Sequence, residues 1–240
     1  TSLLREILHP DGGHHVTFHP REFELLVAGD EGAMYEWDLE DTAQPARQYT
    51  GHTSAVLCCE YSPTKPRIVS ASKDGTIRVW SSEDGEMKQV IRGHMDWVTA
   101  CRFSPDGKKL VSASWDFNAF LWDAKSGRKL HELHGHTGAL TNCCWAPDSK
   151  SVATTSFDST IKVWNVANGQ PTTTIEGHTQ SVNGCAWEGN HIASCGDDGT
   201  VRIWDSEAGM EMATLQGHSG TVKSIGLSAD KAHIVSASED

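Results

Sequence analysis

GHMDWVTACRFSPDGKKLVSASWDFNAFLWD, residues 93–123, decides how this chain reads. A Gly-His pair opens the stretch and a Trp-Asp pair closes it. Gly-His recurs at 51–52, 135–136, 177–178 and 217–218, and the closing Trp recurs at Trp37, Trp80, Trp122, Trp164 and Trp204. His to Trp spans 28 residues from His52, His94 and His136, and 26 from His178, so the unit repeats with a period near 42. Inside each unit, short runs of β-forming residues alternate with turn residues. In the copy that opens at Gly51, strands are predicted at Val56–Tyr61, Arg67–Ser72, Thr76–Trp80 and Met87–Ile91. Ser62–Pro66 is a turn in which proline fixes φ, and Lys73-Asp74-Gly75 is a tight hairpin. The copy after Gly177 is shorter by two in its first hairpin, at Glu188-Gly189-Asn190.

A period near 42 framed by these two pairs resembles the WD-repeat family, and the resemblance covers essentially the whole chain. It implies an all-β fold, a β-propeller of four-stranded antiparallel blades. On this reading residues 1–8 are a closing strand, 9–50 a degenerate repeat, 51–92, 93–134, 135–176 and 177–216 four regular repeats, and 217–240 a partial sixth. The first repeat keeps the His register at His9 but has Val27 and Glu31 where later copies have Ser or Thr and Asp. Ser236–Asp240 matches Ser70–Asp74, with no third strand after it. The expectation is a fragment of a seven-bladed ring. A six-bladed ring closed by a further strand is the alternative. Thr1 without Met suits a processed chain or a fragment.

The bulk properties narrow the function classes. Net charge is −12, which opposes phosphate-driven nucleic-acid binding and suits solubility and basic partners. No apolar run reaches the roughly 18 residues a membrane helix needs, and no leader is evident. Four of the seven cysteines, Cys59, Cys101, Cys143 and Cys185, are 42 residues apart. They therefore fill one position in successive repeats and read as small buried hydrophobes of a reducing compartment. The histidines at 14, 15 and 19 and at 131, 134 and 136 lack a completing Cys or carboxylate at convincing spacing. No metal and no cofactor is expected.

Four polar positions recur in each copy. The sets are His52, Ser70, Asp74 and Trp80; His94, Ser112, Asp116 and Trp122; His136, Thr154, Asp158 and Trp164; and His178, Ser194, Asp198 and Trp204. Catalysis needs one Ser-His-Asp site, not one per repeat. The resemblance implies a structural hydrogen-bond chain from Asp through His and Ser or Thr to the Trp indole.

Function is sought in what the repeat leaves unexplained. Of nine tryptophans, five close third strands, and Trp145 and Trp187 take the core position of Tyr61 and Phe103. Trp97 and Trp115 remain. Trp97 aligns with Ala55, Ala139, Ser181 and Gly220, and Trp115 with Asp30, Lys73, Phe157, Asp197 and Glu239. In the family both columns open on one rim around the central channel. The candidate partner-binding residues are therefore Trp97, Trp115, Phe157, Ser181, Asp197 and Lys73, with mutual stacking of the two tryptophans as the structural alternative. Phe117 and Phe120, in place of Gly75 and Arg78, are expected to repack inside the blade.

The resulting reading is a non-catalytic protein-interaction scaffold, a structural subunit of a cytoskeletal or ciliary assembly, that binds other proteins or peptides, basic ones among them; the expected location is the cytoplasm, with nucleus or cilium as alternatives. A peptide receptor of a ubiquitin-ligase or chromatin complex is the second reading. An enzyme with a propeller active site is the third.

Overall fold

The computed structural model describes residue 7, residues 10–228 and residues 232–240. The expected closing strand, apart from Ile7, and His9 lie outside the described residues. The chain divides into two compact units, Thr1–Val98 and Thr99–Asp240. No helix of the described residues is long and apolar enough to cross a membrane.

The first unit holds two four-stranded antiparallel sheets. One runs β1 (Gly13–Phe18), β2 (Glu24–Gly29), β3 (Ala33–Asp38) and β4 (Arg47–Thr50). The next runs β5 (Val56–Tyr61), β6 (Arg67–Ser72), β7 (Thr76–Ser81) and β8 (Met87–Arg92). The second unit holds three more sheets and a hairpin. These are β9 (Val98–Phe103), β10 (Lys109–Ser114), β11 (Ala119–Asp123), β12 (Lys129–Leu133); β13 (Leu140–Trp145), β14 (Ser151–Ser156), β15 (Ile161–Asn165), β16 (Pro171–Ile175); and β17 (Val182–Glu188), β18 (His191–Gly196), β19 (Val201–Asp205), β20 (Glu211–Leu215). The hairpin is β21 (Val222–Leu227) with β22 (Ile234–Ser238). Each sheet is a meander, because antiparallel neighbours need only short turns.

Burial follows strand position. The second strands, RIVSAS, KLVSAS, SVATTS and HIASCG, are buried along all but their first residue. Their burial leaves no polar alternation, and they use small residues that admit a close neighbour. The fourth strands are the most open, as at Met87–Arg92 and Glu211–Leu215. Within each unit the first strand of a sheet lies on the first two of the preceding one, β5 on β1 and β2, and β17 on β13 and β14. In the first unit this buries Leu26, Met34, Tyr49, Val56, Cys59, Tyr61, Ile68 and Trp80 together. In the second it buries Val163, Ile175, Val182, Cys185, Ile192 and Trp204. The seven cysteines, all among the described residues, are thiols rather than disulfides.

The recurring polar residues form a relay. In the second sheet the Trp80 indole Nε1 donates to Ser70 Oγ at 2.8 Å, and Ser70 Oγ lies 2.8 Å from His52 Nε2. His52 Nδ1 lies 2.8 Å from Asp74 Oδ2. The indole can only donate and the carboxylate can only accept, so the order is settled from both ends. Ser70 accepts from Trp80 and donates to Nε2, and a neutral imidazole donates from Nδ1 to Asp74. The same relay runs through Trp164, Thr154, His136 and Asp158, and through Trp204, Ser194, His178 and Asp198. Trp122 donates to Ser112 at 2.8 Å. In the hairpin, His218 bridges Ser236 and Asp240. Each relay ties the loop before a first strand to the turn between the second and third.

The Gly of Gly-His belongs to the same construction. Gly177 has φ +153, and a Cβ there would lie 2.7 Å from the Trp204 ring. Only glycine lets the chain turn this tightly over the indole. The degenerate first sheet has Val27 in place of the relay hydroxyl and uses another tie: the Glu31 N–H donates to Asp11 Oδ2 at 3.1 Å.

The relay has a defined electrostatic cost and gain. Burial alone would raise the Asp74 carboxyl, but hydrogen bonds from His52, Thr76 and the Thr53 N–H outweigh it and hold it far below the ordinary range. Asp158 is held down the same way by His136, Thr160 and the Thr137 N–H against its burial. Burial lowers His52 and His178, only partly opposed by Asp74 and Asp198.

Ser70→Ala removes the partner of both Trp80 and His52 at once. It should cost about 2–3 kcal/mol in denaturant unfolding, the range for orphaned buried polar groups. Acidification should act in two steps. The lowered histidines keep the folded state short of protons relative to the unfolded one, so stability falls as pH drops below about 6.5. The lowered aspartates add a steeper loss as pH falls through about 4 and below. Thermal melts at pH 8, 6 and 4 check both, and a flat profile between the first two would contradict the histidine step.

Candidate functional site

The turn between the second and third strands carries the residues singled out above. Lys73 N–H donates to Ala55 O, Phe157 N–H to Ala139 O and Asp197 N–H to Ser181 O, each at 2.9 Å. The two columns are thus hydrogen-bonded neighbours on one end of each sheet. The hairpin shows the same bond from Glu239 to Thr221 at 3.1 Å. Thr221, not Gly220, is therefore the counterpart of Trp97; the expected assignment was one residue short.

The structure brings some candidates together. The Trp115 ring packs edge-on against Phe157, with centroids 5.9 Å apart. The two come from turns of successive sheets in the second unit. Phe157 is 45% exposed and Trp115 is half-buried. Edge-to-face packing orients both rings and lowers the entropy lost on contact with a third group. In the first unit, Lys73 Nζ sits 4.7 Å from the Trp97 ring centroid, a cation–π contact. Asp197 Oδ1 accepts from Asn183 Nδ2 at 2.8 Å, which points that carboxylate along the sheet end. Ser181 enters through its backbone carbonyl.

Phe120 is buried, edge-on to Trp122 at 5.5 Å and covered by Lys129 Nζ at 4.1 Å. Phe117 does not repack inside the blade. It is 49% exposed, with φ +71. It occupies the left-handed turn position that Gly75 (φ +76) and Gly199 (φ +74) fill in other sheets. In that conformation the side chain leaves the turn toward solvent. A bulky residue there is strained by about 1–3 kcal/mol. Trp115, Phe117 and Phe157 therefore sit on two adjoining turns of the second unit and form one aromatic surface.

The histidine groups do not assemble. His14 pairs with Asp30, and His15 points to Cys59 Sγ at 3.8 Å. His134 contacts Asn118 and Glu132, while His136 is spent in its relay. His19 instead joins Glu22 and Glu24, with one ligand atom of each within 4.8 Å of the others.

This last group marks a region that sequence reasoning missed. It lines a cavity of about 560 Å³ in the first unit, together with Glu36, Arg47, Tyr61 and Glu83. The signal was present: AMYEWD in β3 places Glu36 where the other third strands have Val79, Leu121, Val163 and Ile203. An acid in an aliphatic column is the kind of local inconsistency that marks a special site.

Comparison with known proteins agrees with this architecture. The model of the WD domain, G-beta repeat family matches residues 43–81, 85–123, 127–165, 169–205 and 209–240. Each match starts at the fourth strand of one sheet and ends within the next, so the sequence repeat and the sheet are staggered by one strand. DDB1- and CUL4-associated factor 13 of Danio rerio is 31% identical over 88 residues, 36% of this chain and 20% of that protein. Serine-threonine kinase receptor-associated protein of Gallus gallus is 30% identical over 70 residues, 29% of this chain and 20% of that protein. Nuclear distribution protein PAC1 of Komagataella phaffii is 37% identical over 67 residues, 26% of this chain and 13% of that protein. The chain thus spans a fifth or less of the length of these relatives. Its repeated Gly-His and Trp frame, its four-stranded antiparallel blades and five family matches lead to one assignment: the chain belongs to the WD domain, G-beta repeat family.

Proposed function

We propose that this protein is a non-catalytic interaction scaffold within a multiprotein assembly, and that Trp115, Phe117 and Phe157 anchor a partner. The observation that carries this reading is the pre-oriented pair of half-buried Trp115 and exposed Phe157, beside a phenylalanine held in a strained turn. Large rigid aromatics dominate interface energetics because they bury much area for few frozen torsions. The Ser-His-Asp constellations repeat from blade to blade and are consumed by indoles, which leaves no single nucleophile set apart.

The partner segment is basic. The chain carries −12, and Asp197 and Glu239 occupy the same turn position as Trp115. The Lys73–Trp97 contact shows within this protein how a cation is received on such a ring. A second reading, a peptide receptor of a ubiquitin ligase, is favoured by the relative named a DDB1- and CUL4-associated factor.

The test is a surface-plasmon-resonance screen of the full chain against an array of Arg- and Lys-bearing peptides. Trp115→Ala should weaken the selected peptide by about tenfold or more while leaving the melting temperature within a few degrees. Peptides that bind Trp115→Ala as well as the parent would overturn this docking surface. Phe117→Gly should separate binding from stability. It relieves the turn and should raise unfolding free energy by about 1 kcal/mol, yet weaken the peptide. Gain in both would remove Phe117 from the site.

A further inference from the structure

The cavity between the first and second sheets opens at the ends opposite the relay turns, among the β1–β2, β3–β4, β5–β6 and β7–β8 connections. Glu36, 4% exposed, lines it. Glu36 Oε1 accepts from the Tyr61 hydroxyl at 2.6 Å and Oε2 from the Tyr49 hydroxyl at 3.1 Å. Arg47 Nη1 stands 3.5 Å from Oε2 but is bound to the Ser82 carbonyl, and Nη2 donates to Glu83 O at 3.0 Å. Tyr49 itself stands where Ile91, Leu133 and Ile175 occur, so several polar replacements converge on one place. Replacing a buried ionic group by aliphatic side chains is commonly neutral or stabilising. Stability therefore supplies no reason for an acid at this position.

At the mouth, Glu22 and Glu24 bring carboxylates close to each other and to His19. Burial raises the Glu24 carboxyl, and repulsion from Glu36 and Glu22 adds to the rise. Four carboxylates, Glu22, Glu24, Glu36 and Glu83, face three cations, of which Arg47 is fixed to backbone carbonyls and Arg21 and Lys65 are exposed. A metal fits poorly. His19 Nδ1 accepts the Glu22 N–H at 2.9 Å and the Arg21 N–H at 3.3 Å, so the ring proton lies on Nε2. Ligation through Nε2 would move that proton to Nδ1, against two N–H donors.

We propose that this cavity binds the guanidinium or ammonium head of a basic side chain, held between Glu22 and Glu24 with Glu36 behind them. Its aromatic wall, Tyr61 edge-on to His19 at 4.7 Å, covers the aliphatic stem. The site belongs to the first unit and does not depend on the aromatic surface of the second.

The test titrates Nα-acetyl-arginine methylamide and Nα-acetyl-lysine methylamide into the full chain, followed by backbone amide shifts. Saturable shifts confined to residues 19–24 and 61–66 are expected. Glu24→Gln should weaken them by about tenfold, as for loss of one member of a charge pair. Glu36→Val, which copies the residue of the second sheet, should fold and lose binding. Glu22→Gln, at an exposed position, carries the test if Glu36→Val does not fold. No saturable shift, undiminished binding by Glu24→Gln and Glu22→Gln, or zinc alone displacing both amides through His19 would each overturn the proposal.

Discussion

The indole-to-carboxylate relay is the constraint from which the rest of this structure follows. A buried indole N–H and a buried imidazole each demand a partner, and one hydroxyl serves both. Satisfying them forces the loop before each first strand onto the hairpin between the second and third. That places Gly-His over the closing Trp, and at Gly177 only glycine fits above the ring. It also sets the turn residue next to the relay aspartate on the sheet end. The two residue columns proposed here as partner-facing are by-products of a stability device.

This coupling explains why the turn tolerates large residues. The relay aspartate takes the backbone N–H two residues on and a backbone N–H from the preceding loop, as Asp74 does with Thr76 and Thr53. The turn backbone is then held from several directions. A strained Phe117 and a half-buried Trp115 can occupy it without loss of the hairpin, because the surrounding hydrogen bonds over-determine its shape. A rigid turn presenting aromatics is a better anchor than a mobile loop, since less order is lost on contact.

The first unit shows the converse. Where Val27 breaks the relay, polarity reappears elsewhere, in the Asp11 tie and the Glu36, Tyr49, Tyr61 and Arg47 network. The degenerate repeat departs from the common pattern at both ends of its sheet. One departure restores a loop tie, and the other builds a charged cavity.

Much of this was legible in the residues. The period, the Gly-His and Trp frame and the hairpin turns specify four-stranded blades, because strand alternation and turn chemistry are local. The strands expected at Val56–Tyr61 and Arg67–Ser72 are those observed. Columns of equivalent positions also singled out Trp115 and Phe157. What the residues left open was direction and depth. Phe117 read as a core replacement until its left-handed φ showed that the side chain leaves the turn. The expected counterpart of Trp97 is Gly220, whereas the backbone bonds fix the register at Thr221. Glu36 stands in plain view in β3, yet only pairing with β4 brings it beside Arg47, and only the packing of two sheets brings it to Tyr61. Sequence alone determines periodic structure, since each repeat restates it locally. Contacts between repeats depend on chain segments far apart, and only tertiary structure decides which side chains meet there.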